Sequence, residues 1–311
     1  MGYLDTILTE AKKDRIAGDY PFSLGVEVTN HCNLRCPMCP RETADRGHDN
    51  MSWELYTKIA DETAKHDRVL FLPQGFGESF IHPQFGKMLD YAHDVGVDLT
   101  MVVSNGTYLN TQNIHALIDA QVPFLNISLD GTNKEVFEKI RVNADYDKVV
   151  ENVKELFRLR KERGSELPYI ILRMIKMEET IDDVENFQNM WEPWLEEHDE
   201  VAFSSYQTWN NSVENKSVDQ PVGLKELELI EGAGGQKPPC RMIYKTMQVY
   251  HDGSTTLCCY DYNCEMNVGN ANENTVEELW TGEKAEHYRH LHEEGLIDEI
   301  SICKGCQEYI P

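Results

Sequence analysis

Short apolar runs rich in β-branched and aromatic residues alternate with segments of helical periodicity over the first two thirds of the chain. The runs predict strands at 24–29, 69–72, 99–104, 124–129, 169–174 and 201–206. The segments between them predict helices at 52–66, 84–95, 111–120, 133–141, 146–163 and 181–196. Apolar strands that alternate with amphipathic helices are typical of a parallel sheet covered by helices, so the pattern indicates an α/β fold. Six such units are too few for a closed eight-stranded barrel, and we expect an open, partial (β/α)6 barrel of parallel strands.

The alternation stops after residue 206. Stretches rich in Asn, Gly and Pro over 207–239 are typical of a linker, with one short helix predicted around 223–231. Farther on, two apolar segments flank a His-Asp-Gly-Ser turn at Gly253 and predict a hairpin, and a helical stretch follows at 275–294. The predicted organisation is a barrel domain over 1–206, a linker over 207–239 and a small α+β domain over 240–311.

The chain is strongly acidic. It contains 29 Lys and Arg against 54 Asp and Glu, for a formal net charge of −25. This balance argues against nucleic-acid binding, which needs cationic side chains to neutralise phosphates. It is compatible with simple solubility or with a docking face for a basic protein partner such as an electron donor. With no membrane-length apolar run and no secretory signal in the sequence, we expect a cytoplasmic protein without a membrane partner.

Nine cysteines in a chain expected in a reducing compartment point to metal binding or catalysis rather than disulfides. Cys32, Cys36 and Cys39 form a Cys-x3-Cys-x2-Cys motif just after the first predicted strand, where reactive groups of parallel α/β folds are found. Three thiolates can hold three irons of a cubane cluster and leave the fourth iron open for a ligand. On spacing alone, a zinc site completed by His31 or a later cysteine remains an alternative.

The other six cysteines all follow residue 239. Two pairs, brought together by a small fold, can supply four thiolates to a metal: Cys240 with Cys258, and Cys303 with Cys306. Their spacing fits a structural zinc and a second iron–sulfur cluster equally well. Cys259 and Cys264 are left over and are either small buried side chains or reactive thiols, and Cys264 is also a possible cluster ligand.

The first motif, in the setting NHCNLRCPMCPR, resembles the signature of radical S-adenosylmethionine (SAM) enzymes, and further matches follow at the next three strand ends. They are Gly77-Glu78, Ser104-Asn105-Gly106 and Ser128-Leu129-Asp130-Gly131, with Arg141 at the usual offset. Two departures are Met38, where an aromatic residue is common, and GES in place of the commoner GEP. The resemblance covers about 22–206 and favours an iron–sulfur cluster over zinc.

The resemblance implies a role for each matched residue. Cys32, Cys36 and Cys39 would hold a [4Fe–4S] cluster that cleaves SAM, and Gly77 and Glu78 would contact the methionine ammonium group. Arg141 would contact the methionine carboxylate, and Ser104, Ser128 and Asp130 would contact the ribose. Met38 would pack on the adenine, and Asn105 belongs to the family's Asn-Gly turn. The alternative for Arg141 is a solvated helix residue, and for the serines and Asp130 it is a helix cap or turn.

The C-terminal cysteines, with Gly253 between them, resemble the opening of the SPASM extension of radical SAM enzymes. The short chain end makes this segment similar to the shortened "twitch" form, as in 2-deoxy-scyllo-inosamine dehydrogenases. The resemblance implies one fully ligated auxiliary [4Fe–4S] cluster, and so two [4Fe–4S] clusters in all. Its ligands would be Cys240, Cys258, Cys303 and Cys306.

These resemblances imply an enzyme that generates a 5′-deoxyadenosyl radical and removes hydrogen from a small, carbohydrate-like substrate. We expect oxidation, with the auxiliary cluster as electron acceptor and flavodoxin or ferredoxin as reductant. The alternatives are a radical epimerase with Cys259 or Cys264 as hydrogen donor, a peptide-modifying maturase, or a non-catalytic zinc or iron–sulfur protein. Candidate polar groups for the substrate are Gln74, His82, Arg173, Lys176, Gln207 and Tyr260.

Overall fold

The computed structural model describes residues 17–209, 212–219, 225, 228–230 and 237–311. Its strands are β1 (Ser23–Val26), β2 (Leu70–Leu72), β3 (Met101–Ser104), β4 (Phe124–Ser128), β5 (Tyr169–Lys176), β6 (Glu200–Ser205), β7 (Thr246–Val249), β8 (Ser254–Thr256) and β9 (Asn267–Asn270). Its α-helices are α1 (Trp53–Thr63), α2 (Phe85–Val95), α3 (Thr111–Asp119), α4 (Lys134–Ile140), α5 (Tyr146–Glu162), α6 (Val184–Trp191), α7 (Val276–Thr281) and α8 (Glu283–Glu293). Short 3-10 helices lie at Pro40–Thr43, Ser79–Ile81, Ile181–Asp183, Glu192–Trp194, Arg241–Tyr244, Ile297–Glu299 and Ser301–Cys303.

The six strands predicted from the apolar runs are all present and form a curved wall of parallel strands. Strands β3 to β6 pair in chain order, and β2 pairs with β1. An isolated parallel bridge between Phe71 and Thr100 connects the two groups. Helices separate successive strands along the chain, as right-handed parallel crossovers require. The structure therefore confirms the predicted α/β class and the open, partial barrel.

Five of the eight α-helices described begin after a residue whose side chain accepts a free N–H group of the first turn. Asn110 caps α3 and Asp145 caps α5 through their side-chain oxygens. Thr275 and Glu278 form a reciprocal capping box at the start of α7. The helix predicted at 181–196 is shorter than expected, because Pro193 lacks an N–H and the segment after α6 continues only as a 3-10 turn.

The C-terminal hairpin extends the barrel sheet rather than standing apart from it. Strand β7 lies parallel to β1, with Val26 opposite Val249, and β8 and β9 follow in antiparallel order. One core of buried apolar side chains runs through both predicted domains. The boundary at 207–239 stays a prediction, and most of the short helix predicted around 223–231 lies outside the described residues. Sequence analysis missed the β1–β7 pairing.

A buried ionic network joins the ends of β1 and β7. The fully buried carboxylate of Glu27 accepts hydrogen bonds from Arg46 at 2.7 and 3.0 Å and from His251 Nδ1 at 3.0 Å. Burial alone would raise the pKa of Glu27, but the bonds from His251 and Arg46 outweigh it and lower the pKa to about 2. Arg46 also stacks on the Tyr250 ring at 3.8 Å. The network ties the loop after the cysteine triad to both strand ends.

Candidate active site

The three cysteines of the first motif lie on the loop that leaves β1. Cys32, Cys36 and Cys39 line one side of a cavity of about 500 Å³ at the C-terminal ends of the parallel strands. Burial raises the pKa of Cys32 to about 11 and also raises the pKa of Cys39, so these two thiols keep their protons at neutral pH when no metal is bound. Metal binding would displace those protons. Three soft donors facing one open space fit an iron–sulfur cluster with a free coordination position.

Glu78 lies in the same cavity with both of its oxygens in defined hydrogen bonds. Ser104 Oγ donates to Oε1 at 2.9 Å, and the Asn105 backbone N–H donates to Oε2 at 2.8 Å. The side chain is buried, and this burial raises the pKa of Glu78 to about 7 despite the two bonds. A carboxylate held this way favours a cationic ligand, because a positive charge would offset the lost solvation.

Arg141 is held at the cavity wall by Asp130. Its Nε donates to Asp130 Oδ2 at 2.6 Å, and its Nη1 lies 3.8 Å from Cys36 Sγ. The other Asp130 oxygen accepts the Ile175 backbone N–H at 2.9 Å. Both oxygens of Asp130 accept hydrogen bonds from protein groups, and its contact with ribose stays a prediction. Asp130 orients the Arg141 guanidinium toward the cysteine loop.

Most of the other predicted site residues also line this cavity. They are Met38, Gly77, Ser104, Asn105 and Ser128, together with the substrate candidates Gln74, Arg173, Gln207 and Tyr260. Two substrate candidates do not line it. His82 is buried, with Nε2 3.2 Å from the Met51 carbonyl, and Lys176 pairs with Asp219 at 2.7 Å.

A second cavity of about 240 Å³ is lined by all four cysteines of the predicted auxiliary site: Cys240, Cys258, Cys303 and Cys306. Burial raises the pKa of each of these thiols. Among the described residues, no three side chains of the His, Cys, Asp or Glu type are grouped to hold a single metal ion. The four sulfurs instead surround a volume, and four thiolate donors around an enclosed space fit a fully ligated iron–sulfur cluster.

The two remaining cysteines lie in different places. Cys259 lines the first cavity, opposite in direction to Cys258, which lines the second. Burial raises the pKa of Cys259 to about 12, so its thiol keeps its hydrogen at neutral pH. Cys264 lines neither cavity and accepts a hydrogen bond from Asn267 Nδ2 at 3.3 Å. Of these two cysteines, Cys259 is therefore placed to face a molecule in the first cavity, whereas Cys264 is not.

Trp209 and Tyr260 form a wall that belongs to both cavities. Their rings contact at 5.6 Å between centroids, and the Trp209 indole N–H donates to the Met38 carbonyl at 2.8 Å. Glu308 fixes this wall, because its Oε1 accepts the backbone N–H groups of Thr208 and Trp209 at 2.7 and 3.2 Å. Sequence analysis missed Trp209 and Glu308, which lie in a loop and near the chain end with no motif around them.

Comparison with protein-family models gives two matches. The model of the radical SAM superfamily matches residues 26–190, more than half of the chain. The chain belongs to the radical SAM superfamily. An iron–sulfur cluster-binding domain of the SPASM type matches residues 240–307 of this radical SAM protein. It is thus a radical SAM enzyme with a SPASM domain, and both matches imply iron–sulfur clusters and SAM binding.

Curated relatives of this radical SAM enzyme include proteins with different roles. It is 24% identical over 277 residues to the tungsten-containing aldehyde ferredoxin oxidoreductase cofactor-modifying protein of Pyrococcus furiosus, covering 86% of this chain and 71% of that protein. It is 31% identical over 140 residues to the mycofactocin maturase MftC of Mycobacterium tuberculosis, covering 44% of this chain and 35% of the maturase. The chain therefore matches about a third of the maturase's length.

Solved structures share the fold of this radical SAM enzyme. The structure of BtrN in complex with AdoMet and 2-DOIA matches with a TM-score of 0.59 and 15% identity, covering 92% of each chain. Streptococcus suis SuiB bound to S-adenosylmethionine matches with a TM-score of 0.67 and 14% identity, covering 98% of this chain and 79% of SuiB.

Within the described part of the chain, no helix has the length and apolar character needed to cross a membrane.

The loop carrying Gly77 packs so closely on the cysteine loop that a side chain cannot be added. A Cβ at Gly77 would lie 2.3 Å from the Thr29 carbonyl oxygen and 2.7 Å from that of His31. We expect Gly77→Ala to destabilise the protein by about 1–3 kcal/mol, since backbone must move to relieve the overlap. Urea unfolding of the purified protein measures this change.

Gly86→Ala is the matched control. Gly86 lies within α2, and a Cβ there would be 3.4 Å from the nearest atom, the Cβ of Ala116. It should leave stability unchanged or raise it by up to about 1 kcal/mol, as alanine suits a helix better than glycine. Equal stability of the two variants would contradict the close packing assigned to Gly77.

Proposed function

We propose that this radical SAM enzyme oxidises a small, polar, carbohydrate-like molecule bound in the 500 Å³ cavity. The observation that carries the proposal is the placement of two cysteine sets in adjoining cavities. The first cavity contains the triad together with Glu78 and Arg141, and the second contains four further cysteines. The proposed radical-generating and electron-accepting sites would thus be neighbours, with Trp209 and Tyr260 lining both cavities.

The cysteine sets have the donor chemistry of the two proposed clusters. Cys32, Cys36 and Cys39 would hold the first and leave one iron open, whereas Cys240, Cys258, Cys303 and Cys306 would hold the second completely. When bound and reduced by an external one-electron donor, the first cluster and SAM would supply a 5′-deoxyadenosyl radical that takes a hydrogen atom from the substrate. The second cluster would accept the electron that the substrate radical loses, and the accompanying proton would pass to solvent. A fully ligated cluster has no free iron for substrate, which favours the electron-acceptor role.

The protein groups around the SAM position would bind its amino-acid end. Glu78 supplies a carboxylate to the methionine ammonium group, and Ser104 with the Asn105 N–H holds that carboxylate in place. Arg141, oriented by Asp130, supplies a cation to the methionine carboxylate near Cys36. The charges of these two groups are complementary to an amino acid.

The rest of the cavity favours a hydroxyl-bearing small molecule. Its polar lining consists mainly of amides and hydroxyls: Gln74, Asn126, Ser204, Ser205, Gln207, Gln248 and Tyr260. Such groups donate and accept hydrogen bonds and so match hydroxyl groups on a substrate. Of the cavity-lining residues described, Glu78 is the one carboxylate.

The relatives widen the range of substrates to be tested. BtrN was solved with AdoMet and 2-DOIA, which agrees with a small molecule, whereas SuiB was solved with a precursor peptide and MftC is a maturase. A screen for 5′-deoxyadenosine formation should therefore contain aminocyclitols, sugars and peptides. We expect the aminocyclitols and sugars to stimulate the formation of 5′-deoxyadenosine.

Anaerobic reconstitution with iron and sulfide tests the proposal directly. We expect about eight irons per chain from two [4Fe–4S] clusters, and 5′-deoxyadenosine formation from SAM after reduction with dithionite. Replacing Cys32, Cys36 and Cys39 by Ala should remove about four irons and abolish SAM cleavage. Replacing the four C-terminal cysteines by Ala should remove the other four while leaving SAM cleavage. Tightly bound zinc with no cleavage would contradict the proposal.

The Glu78 carboxylate should make SAM binding depend on pH. Because its pKa is raised to about 7, the carboxylate is charged above that pH and gains a proton as the pH falls. SAM affinity of the reconstituted protein, measured by calorimetry, should therefore decrease between pH 7.5 and pH 6. Glu78→Gln should bind SAM about 10- to 100-fold more weakly, since a charged hydrogen bond contributes about 1.5–3 kcal/mol, and its affinity should not vary over this range. A wild-type affinity that is constant with pH would contradict this role of Glu78.

Radical epimerisation is a second candidate, favoured by the position of Cys259. The protonated thiol of Cys259 lines the 500 Å³ cavity, where it would be able to return a hydrogen atom to a substrate radical. For an epimerase, Cys259→Ala should lose turnover, and wild-type product formed in D2O should contain one deuterium from the exchanged thiol. For the proposed oxidase, Cys259→Ala should keep turnover and the product should contain no such deuterium. Mass spectrometry of the product distinguishes the two, and Cys264→Ala is the control because Cys264 lies outside the cavity.

A further inference from the structure

His292 is a buried histidine beside the second cavity that no sequence motif singles out. It lies on α8, is 2% exposed and lines the cavity with the four cysteines. Its two ring nitrogens face different partners. Nδ1 is 3.3 Å from the Cys240 backbone nitrogen, and Nε2 is 3.5 Å from Cys303 Sγ.

These contacts determine where the ring proton lies. A backbone N–H can only donate, so Nδ1 must accept from Cys240 and carries no hydrogen. In a neutral imidazole the hydrogen is then on Nε2, which faces Cys303. The Tyr309 ring lies nearly parallel to His292, with an interplanar angle of 14°. The orientation of the imidazole is thus fixed by both of its nitrogens.

We propose that His292 is a positioning residue that donates a hydrogen bond from Nε2 to the Cys303 thiolate and thereby raises the reduction potential of the auxiliary cluster. This inference rests on the proposed function, because it requires an iron–sulfur cluster on the four cysteines. The hydrogen stays on His292 throughout.

The direction of the effect follows from charge. One-electron reduction of a cluster adds negative charge that is shared by its sulfur ligands. A donor on a ligand sulfur is attracted more strongly in the reduced state, so it stabilises that state and raises the potential. A raised potential suits a cluster that must accept an electron from a substrate radical. His292 would therefore favour oxidation of the substrate without touching it.

Two amide substitutions separate the contacts of the imidazole. His292→Asn places its amide near the Nδ1 position, where it can still accept from Cys240 but does not extend to Cys303. His292→Gln is longer and brings an amide N–H to the Nε2 position. His290→Asn is the matched control, because His290 lies on the same helix and is exposed.

The full-length chain with Cys32, Cys36 and Cys39 replaced by Ala provides the background, since it leaves only the second cluster to be observed. After iron counting, the potential is measured by redox titration followed by electron paramagnetic resonance. We expect His292→Asn to shift the reduction equilibrium about tenfold toward the oxidised state, which is about 59 mV for one electron. His292→Gln and His290→Asn should stay near the background value.

A second measurement detects the bond itself. The reduced cluster in D2O should show a magnetically coupled, exchangeable deuteron that is absent in His292→Asn. Bound iron with the same potential in the Asn and Gln variants would overturn the role of His292 while leaving the proposed function intact. Absence of iron, or zinc in its place, would overturn this inference together with the auxiliary cluster.

Discussion

The parallel pairing of β7 with β1 positions both candidate cluster sites. The two strands are in register, with Val26 opposite Val249, so the loops that leave them emerge on the same side of the sheet. The loop after β1 carries the cysteine triad, and the hairpin after β7 leads to Cys258 and Cys259. The pairing therefore joins in one sheet the strand that precedes the triad and the hairpin that precedes Cys258 and Cys259.

The Glu27 network reinforces the same pairing at the strand ends. Glu27 follows β1 directly and His251 is the second residue after β7, while Arg46 comes from the loop after the triad. A buried carboxylate bonded to Arg46 and His251 is costly to disrupt, because removal of Arg46 leaves an unbalanced charge in a low-dielectric environment. The hydrogen bonds of Glu27 therefore define how the end of β1, the end of β7 and the loop that carries Arg46 are arranged, which apolar packing alone would not do.

Sequence reasoning succeeded where a local pattern carries the information. Apolar runs located the six barrel strands, and the Cys-x3-Cys-x2-Cys motif indicated the first candidate site, since each of these signals lies within a few residues. The four C-terminal cysteines are spread over 240–306, and a resemblance was needed to group them. It failed where the decisive contact is long-range. The β1–β7 pairing joins segments more than 200 residues apart, and Glu27 is a charged residue whose partners lie far along the chain. Asp130 shows the same limit, because its motif does not indicate that Arg141 and the Ile175 backbone donate hydrogen bonds to it.

The wall between the two cavities limits the chemistry that can follow hydrogen abstraction. Trp209 and Tyr260 line both sides, and the consecutive residues Cys258 and Cys259 face opposite sides. In the proposed function, a substrate radical in the first cavity would have two partners nearby, the second cluster behind Trp209 and Tyr260 and the thiol of Cys259. Electron transfer to that cluster and hydrogen donation from Cys259 would then compete for the same radical. A hydrogen bond that raises the auxiliary potential, such as that proposed for His292, shifts this competition toward oxidation, so the outcome depends on a contact outside the substrate cavity.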